Sequence, residues 1–327
     1  MPYSRRQISA LTSSPLLDDA DLPDGPARIA EIVIRRQVFA VENEAVNALL
    51  RRYQDAFDDI RRYAETSSAP SIAWRDSLLQ RLVQRMRVLT DEAAALGLRA
   101  SVAAYRGAYY GRAWQLSEMA REGTRIRADA PDALGALLNE DIYTDIITDL
   151  LGQEWRLQYA SELDVLTAQI RAAISQGMSA GEGIDPIMRR VRSVMGIDTD
   201  RRKGYRANFN RVQTITRTVV NRASNDGALA AYQRNADILW GYEWLAARVG
   251  ACPDCRELNG NRYRLGSERR PPEHPNCRCA VIPVLTPEAQ PDERSAPRPD
   301  APRRTFGEWL GTFAANASIV DFLTPSF

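Results

Sequence analysis

Apolar side chains in the first half of the chain recur at three- and four-residue intervals, the spacing of a helix with one buried face. One such pattern begins at Ala27 and predicts a long helix. A second is predicted over about 71–96, with Gly97 as its C-cap, and a third over about 99–125. Long helices joined by short connections predict an antiparallel helical layer over residues 27–150.

The second half of the chain combines shorter helical patterns with one alternating pattern. Helices are predicted over about 153–177 and 201–233. Between them, Asp185 and Pro186 predict the N-cap and the first residue of a short helix. Residues 238–245 alternate enough to predict a strand, so the first cysteine pair, which follows it, is expected on a strand-turn. The predicted fold class is therefore mainly α, and α+β overall, with a layer of long helices followed by a smaller helical and β domain.

The two ends of the chain differ in composition from the helical body. The N-terminal residues are polar with an acidic run, which predicts a flexible arm. Thr305 and Glu308 have the spacing of a capping box before an apolar run, so the C-terminal residues are expected to dock on this chain or on a partner. The predicted organisation is a flexible arm (1–26), a helical domain (27–150), a helical and β domain (151–285), a proline-rich linker (286–304) and a docking segment (305–327).

Charge is distributed unevenly along the chain. The whole sequence has 43 basic and 42 acidic residues, whereas residues 201–280 carry 15 basic and 7 acidic residues, a net charge of +8. Such a patch is typical of a surface that contacts nucleic acid or an acidic partner, and a solvated helix face is the alternative. Arg202, Arg206 and Arg211 are the candidate contacts for double-stranded DNA, bound without sequence preference.

All four cysteines and the single histidine lie in a 28-residue window, from Cys252 to Cys279. The window opens with a C-x2-C pair and closes with the string His274-Pro-Asn-Cys277-Arg-Cys279. Zinc binds four sulfur or nitrogen donors as a tetrahedron, and a C-x2-C pair holds it from a tight turn. The spacing therefore predicts a structural zinc in a knuckle formed by Cys252, Cys255, His274 and Cys277, with Cys279 as the alternative ligand.

Disulfides, buried free thiols and a catalytic zinc remain as alternatives. Disulfides need an oxidising compartment. The N-terminus has no apolar signal core and no segment approaches 18 consecutive apolar residues, so a reducing cytoplasm and no membrane span are expected. A catalytic zinc needs a general base, and Glu257 and Glu273 are expected to be ordinary polar neighbours. Arg278 is expected either to donate hydrogen bonds to the thiolates or to point outward.

Several strings of this chain recur together in one family of proteins. They are the turn Gln176–Gly181, the helix Thr216-Arg217-Thr218 with Asn221, Asn225, Ala228 and Tyr232, then Trp244, the pair Cys252-Pro-Asp-Cys255, the string Pro271–Cys279, and Phe306-Gly-Glu-Trp309-Leu310. On these strings, the segment from about Leu166 to Val284 resembles the phage Mu F-like minor head proteins, also called phage head morphogenesis proteins.

The resemblance implies a non-enzymatic minor component of a tailed-phage head. It implies recruitment to the portal protein during procapsid assembly, with coat or scaffold proteins as further partners and contact with packaged DNA left open. The expected location is the phage head, and the host cytoplasm during assembly. Two rival interpretations remain: an F-like domain with nuclease or ADP-ribosyltransferase-type toxin activity, and a zinc-dependent DNA-binding protein. For the first, too few residues follow the cysteine window to form a fused catalytic domain, and for the second the finger spacing is missing.

Overall fold

A computed structural model of the chain describes residues 26–66, 69–129, 154–196, 207–247, 251–291 and 302–312. These residues form long helices and one small sheet, which confirms the predicted fold class. The elements are α1 (Pro26–Ala64), α2 (Ile72–Met119), α3 (Glu154–Ser179), α4 (Ile184–Met195), α5 (Ala207–Arg234), β1 (Leu239–Leu245), α6 (Pro253–Leu258), β2 (Arg262–Tyr263), β3 (Ala280–Leu285) and α7 (Phe306–Leu310). Within the described ranges, no helix is long and apolar enough to cross a membrane.

The chain divides into two compact units that are each assembled from separate stretches of sequence. The first unit comprises residues 1–42, 99–148 and 217–326, and the second comprises residues 43–98, 149–216 and Phe327. The predicted arm up to residue 25, most of the residues between the predicted helices at 99–125 and 153–177, and the beginning of the predicted helix at 201–233 lie outside the described residues.

The core of the first unit lies where helices α2 and α5 meet the sheet. Leu116 of α2, Tyr232 of α5 and Val281 of β3 are buried in one cluster with Leu239 and Tyr242 of β1. The Tyr232 hydroxyl donates a hydrogen bond of 3.1 Å to the Val281 carbonyl. This bond lets the ring fill the core while its polar end remains satisfied.

The sheet has three antiparallel strands in the order β2-β1-β3. On one side of β1, Glu243 pairs with Arg262, and their side chains form an ion pair of 3.0 Å. On the other side, Leu245 pairs with Ala280 at the end of the ladder. The cysteine-bearing segments leave the sheet at this end, so the register of β1 against β3 fixes where they meet.

Helix α2 runs unbroken from Ile72 to Met119, so the prediction of two helices separated by a C-cap at Gly97 is wrong. A glycine inside a helix costs about 1 kcal/mol relative to alanine. The apolar stripe continues across it, because Leu96 and Ala100 are both buried. Burial of the continuous stripe outweighs the local cost of one glycine.

Aromatic side chains are buried in the second unit, and their polar atoms make hydrogen bonds. The Trp74 indole N–H donates to the Ala64 carbonyl at 3.0 Å, which joins the end of α1 to the beginning of α2. Tyr159 of α3 is fully buried and its hydroxyl lies 2.7 Å from the Thr216 hydroxyl of α5. Burial raises the pKa of Tyr159 well above its usual range, so the side chain stays neutral at any physiological pH.

Helix α4 begins at Ile184 with Gly183 as its N-cap, so the prediction of Asp185 as the N-cap is wrong. Asp185 instead lies in the first turn, where a negative charge is favourable at the positive end of the helix dipole. The helix ends at Met195, and its C-cap Gly196 has a φ of 70°, a left-handed conformation that glycine adopts at low cost.

The segment at 302–312 packs on helix α2 in the first unit. Thr305 and Glu308 form the predicted capping box of α7. Phe306 is buried with its ring centroid 5.5 Å from that of Trp114, and the Trp114 indole N–H donates to the Arg304 carbonyl at 3.1 Å. The C-terminal segment thus docks on its own chain as far as residue 312. The rest of the predicted docking segment, residues 313–327, lies outside the described residues.

A buried ion pair joins α1 and α2 in the first unit. Glu31 is fully buried, and its carboxylate accepts hydrogen bonds from both terminal nitrogens of Arg112. Arg35 donates a further bond to Glu31 at 2.9 Å. Burial alone raises the pKa of Glu31, but the two arginines outweigh it and lower this pKa to about 2.

We predict that Glu31→Gln lowers the free energy of unfolding by about 3–5 kcal/mol at neutral pH, because it leaves the buried Arg112 without its counter-ion. The stabilisation by Glu31 is complete above the pKa of an unfolded glutamate and is lost as the pH falls from about 5 towards about 2. The difference between wild type and Glu31→Gln in urea unfolding should therefore narrow over that range. Glu65→Gln, which breaks an exposed pair with Arg61, is the control and should have little effect. A constant difference at all pH values would contradict the prediction.

Candidate metal centre

The first two cysteines lie at the beginning of helix α6, not on the predicted strand-turn. Cys252 is the N-cap of this helix, and its Sγ accepts the backbone N–H of Cys255 at 3.3 Å. Pro253 occupies the first helical turn, where its missing N–H costs nothing. The Cys-Pro-Asp-Cys sequence therefore forms a helix start, which turns both sulfurs to the same side.

His274 approaches this pair from the loop between β2 and β3. Its Nε2 lies 3.3 Å from Cys252 Sγ and 3.2 Å from Cys255 Sγ. Its Nδ1 lies 2.9 Å from the Pro275 carbonyl oxygen. A ring nitrogen that donates to a carbonyl leaves the other nitrogen free to bind a metal, which is the usual orientation of a metal-ligating histidine.

The remaining two cysteines complete a second group of donors. Cys255, Cys277 and Cys279 are buried, and their sulfur atoms lie within 4.8 Å of one another. The atoms that Cys252, Cys255 and His274 offer to a metal form a similar group, so Cys255 is shared by both. The five predicted donors are thus all brought to one place. The choice of Cys252, Cys255, His274 and Cys277 as the four ligands stays a prediction.

The distances in this centre suit zinc. Zinc–sulfur bonds of about 2.3 Å at tetrahedral angles place two bound sulfurs about 3.8 Å apart. Cys255 Sγ and Cys277 Sγ are separated by 3.8 Å. The donors are sulfur and imidazole nitrogen, the set that zinc prefers over the oxygen ligands of calcium or magnesium.

The thiols of this centre differ widely in acidity. A hydrogen bond from the Cys279 thiol lowers the pKa of Cys277 to about 5. The same hydrogen bond, together with burial, raises the pKa of Cys279. Burial raises the pKa of Cys255 to about 12. The protein alone therefore stabilises one thiolate among the buried sulfurs, and a divalent cation is what would let the others lose their protons.

An apolar shell surrounds the sulfurs. Trp244, at the end of β1, is fully buried in one cluster with Cys255, Cys277 and Cys279. Its indole nitrogen has no hydrogen-bond partner among the residues that the structure describes. This shell excludes water from these three sulfurs, as expected for a structural metal site, whereas Cys252 and His274 are half-buried.

Comparison with known proteins identifies the segment that carries this centre. Residues 168–282 match the model of the family described as Phage Mu protein F like protein. This segment is therefore similar to the phage Mu F-like proteins, and residues 168–282 are called the F-like domain for that similarity. The match confirms the resemblance found in the sequence and includes all five candidate donors. No curated protein matches the chain, and no solved structure does.

Two asparagines of α5 hold the second half of the centre in the F-like domain. Asn225 Nδ2 donates to the Cys279 carbonyl at 3.1 Å, and its Oδ1 accepts the Val281 backbone N–H at 3.1 Å. Asn221, one helical turn earlier, donates to the Cys277 carbonyl at 2.9 Å. Both asparagines belong to the helix string of the family resemblance, but no role was predicted for them from the sequence. Their four-residue spacing, which puts them on one helix face, was the available signal.

Arg278 of the F-like domain turns away from the sulfurs on either side of it. Its Nη2 donates to Glu42 Oε1 at 2.7 Å, and its guanidinium lies 5.4 Å from the centroid of the Phe39 ring. Glu42 is buried and also pairs with Arg217 Nε at 2.9 Å. Two roles were predicted for Arg278, and the structure excludes one of them, the donation of hydrogen bonds to the thiolates. The residue connects the cysteine centre to helix α1 instead.

The arginines of the predicted basic helix are largely paired where they are described. Arg211 forms an ion pair of 3.2 Å with Glu162, and Arg222 lies 3.9 Å from Asp226. Arg202 and Arg206 lie outside the described residues. Contact of this helix with DNA stays a prediction, and the formal charge of the segment overstates the number of free cations.

We predict that Asn225→Ala lowers the melting temperature of the F-like domain, because it leaves the Val281 N–H buried without a partner and the Cys279 carbonyl with only the 3.3 Å bond from Asn221. A buried group that loses its partner costs about 1–3 kcal/mol. Asn261→Ala is the matched control, since the Asn261 side chain makes one exposed hydrogen bond of 3.3 Å to the Glu257 carbonyl. Calorimetry of both variants measures the effect, and equal melting temperatures for them would show that the Asn225 bonds do not support the centre.

Proposed function

We propose that this chain is a structural protein of phage head morphogenesis, and that its F-like domain is held by one structural zinc. The observation that carries the proposal is the match of residues 168–282 to the phage Mu F-like family, a family of head morphogenesis proteins. The location that follows is the phage particle. The fold supports an assembly role, because long helices offer extended surfaces to partners.

The donor chemistry supports a structural metal over a catalytic one. The predicted ligands Cys252, Cys255, His274 and Cys277 would hold zinc, with Cys279 in reserve, and the metal would join α6 to the strand β3. A catalytic zinc needs an open position and a nearby base. Glu273, beside His274, is paired with Arg269 at 2.9 Å and is therefore poorly placed as a base.

The proposed partner is the portal protein, with coat or scaffold proteins as further partners. Four large apolar side chains among the described residues are exposed, and all belong to helices α2 and α3 of the second unit. The most exposed are Ile72, at 68%, and Leu157, at 65%. Exposed apolar side chains lose contact with water when a partner covers them, so these two are candidate contacts in an assembly.

We predict that the full chain co-purifies with the portal protein of the same phage genome when the two are co-expressed. Ile72→Ser and Leu157→Ser, made together, should reduce the bound fraction, because they remove apolar area from the proposed contact. Gln80→Ser, an exposed polar change on the same helix α2, is the control and should bind like wild type. Absence of association between the folded wild-type chain and either portal or procapsid would refute the assembly role. Nuclease and NAD-consuming assays would then test the rival enzyme class.

Contact with packaged DNA is a second candidate function, favoured by the net charge of +8 over residues 201–280. We predict that the triple variant Arg202→Glu, Arg206→Glu and Arg211→Glu loses retention on duplex DNA. Wild-type retention should fall steeply with salt, because each neutralised phosphate releases counter-ions. The matched control reverses the charge of three exposed arginines from elsewhere in the chain, Arg87, Arg99 and Arg125. Equal loss in both triples would mean that net charge, rather than this helix, governs binding.

A further inference from the structure

The cysteine centre contains one donor more than a tetrahedral zinc accepts. The outer group is Cys252, Cys255 and His274, and the inner group is Cys255, Cys277 and Cys279. We propose that His274 and Cys279 are interchangeable ligands: Cys252, Cys255 and Cys277 stay bound to the metal, and the fourth position passes between the imidazole and the thiolate. The proposal rests on the zinc assignment above, and it makes Cys279 the fourth ligand in one of two states of the centre.

Cys279 is fixed within reach of the metal position whichever ligand is bound. It is 1% exposed, and its carbonyl accepts hydrogen bonds from Asn225 and Asn221 at 3.1 and 3.3 Å. The next residue, Ala280, begins β3 and pairs with Leu245 of β1. The Cys279 sulfur therefore needs no backbone rearrangement to approach a metal bound at Cys255 and Cys277.

His274 is held far less firmly. It is half-buried on the long loop between β2 and β3, and its Nδ1 contact is to Pro275, the next residue in the chain. The backbone is held on both sides of the histidine: the Arg269 carbonyl accepts a hydrogen bond from the Tyr242 hydroxyl, and the Asn276 N–H donates to Thr218 Oγ1 at 2.9 Å. Rotation of the imidazole about its own side-chain bonds would therefore free the fourth ligand position without disturbing the sheet or α5.

The exchange would be balanced in atoms and charge. Cys279 would replace His274 as the fourth ligand, its thiol proton would pass to water or to the freed imidazole, and no electron would be transferred. The ligand set would change from three thiolates and a neutral imidazole to four thiolates, which adds one negative charge to the centre. The His274 imidazole would be free in one of two states that have the same metal content.

The test uses the full chain and four variants: His274→Ala, Cys279→Ala, the double variant of both, and Cys255→Ser. Zinc per chain is measured after passage over a chelating resin, and the Co²⁺-substituted proteins are examined by absorption spectroscopy. Both single variants should keep about one equivalent, since four donors remain in each. His274→Ala should have the spectrum of four thiolates, and Cys279→Ala that of three thiolates with one nitrogen. The double variant and Cys255→Ser should lose the metal.

Loss of zinc from either single variant to the extent of Cys255→Ser would overturn the exchange, as would retention by the double variant. A wild-type chain without metal would refute the zinc assignment and the exchange together, while leaving the portal test of the assembly role standing. A second measurement needs no variant, because His274 is the only histidine of the chain. Diethyl pyrocarbonate should modify it in the zinc-loaded wild type without release of metal. Complete protection of the imidazole, or zinc release in step with its modification, would contradict the proposal.

Discussion

The Asn225 side chain donates a hydrogen bond to the Cys279 carbonyl and accepts one from the Val281 N–H, and these two bonds attach the second half of the cysteine centre to helix α5. Cys279 precedes β3, and β3 is an edge strand of the described sheet, so these backbone groups need a partner outside the sheet. An amide side chain provides both a donor and an acceptor on one rigid group. The position of Cys279 therefore depends on one residue of a helix that lies outside the cysteine window.

Electrostatics links the same centre to the rest of the first unit. Glu42 of α1 accepts a hydrogen bond from Arg278, which lies between two cysteines, and forms an ion pair with Arg217 of α5. A buried carboxylate is costly unless it is paired, so these two arginines are what makes the burial of Glu42 tolerable. Some arginines of residues 201–280 are thus neutralised by carboxylates of the protein itself. The charge that remains available to a partner is smaller than the sequence suggests.

Sequence patterns predicted the features that depend on residues close together in the chain. The Cys/His window, the strand before it and the capping box of α7 depend on spacings of a few residues, and all three are present in the structure. The predicted break at Gly97 is wrong because burial along α2 overrides the preference of one glycine. The partner of Arg278 is 236 residues away in sequence, and no spacing rule could have found it. The spacing of Asn221 and Asn225 indicated a shared helix face, but it could not identify the bonding partner of Asn225, which lies in a strand more than 50 residues later.

Helix α6 has six residues, which is too short to be stable on its own in water. The N-cap of this helix is Cys252, whose sulfur accepts a backbone hydrogen bond and is also a candidate metal ligand. Cys252 therefore has two separable roles. Serine is a stronger N-cap than cysteine but a poor zinc ligand. Replacement of Cys252 by serine during evolution would keep the helix start while giving up one metal ligand. A serine at this position in a descendant sequence would therefore indicate that hydrogen bonds, and no longer the metal, stabilise the domain.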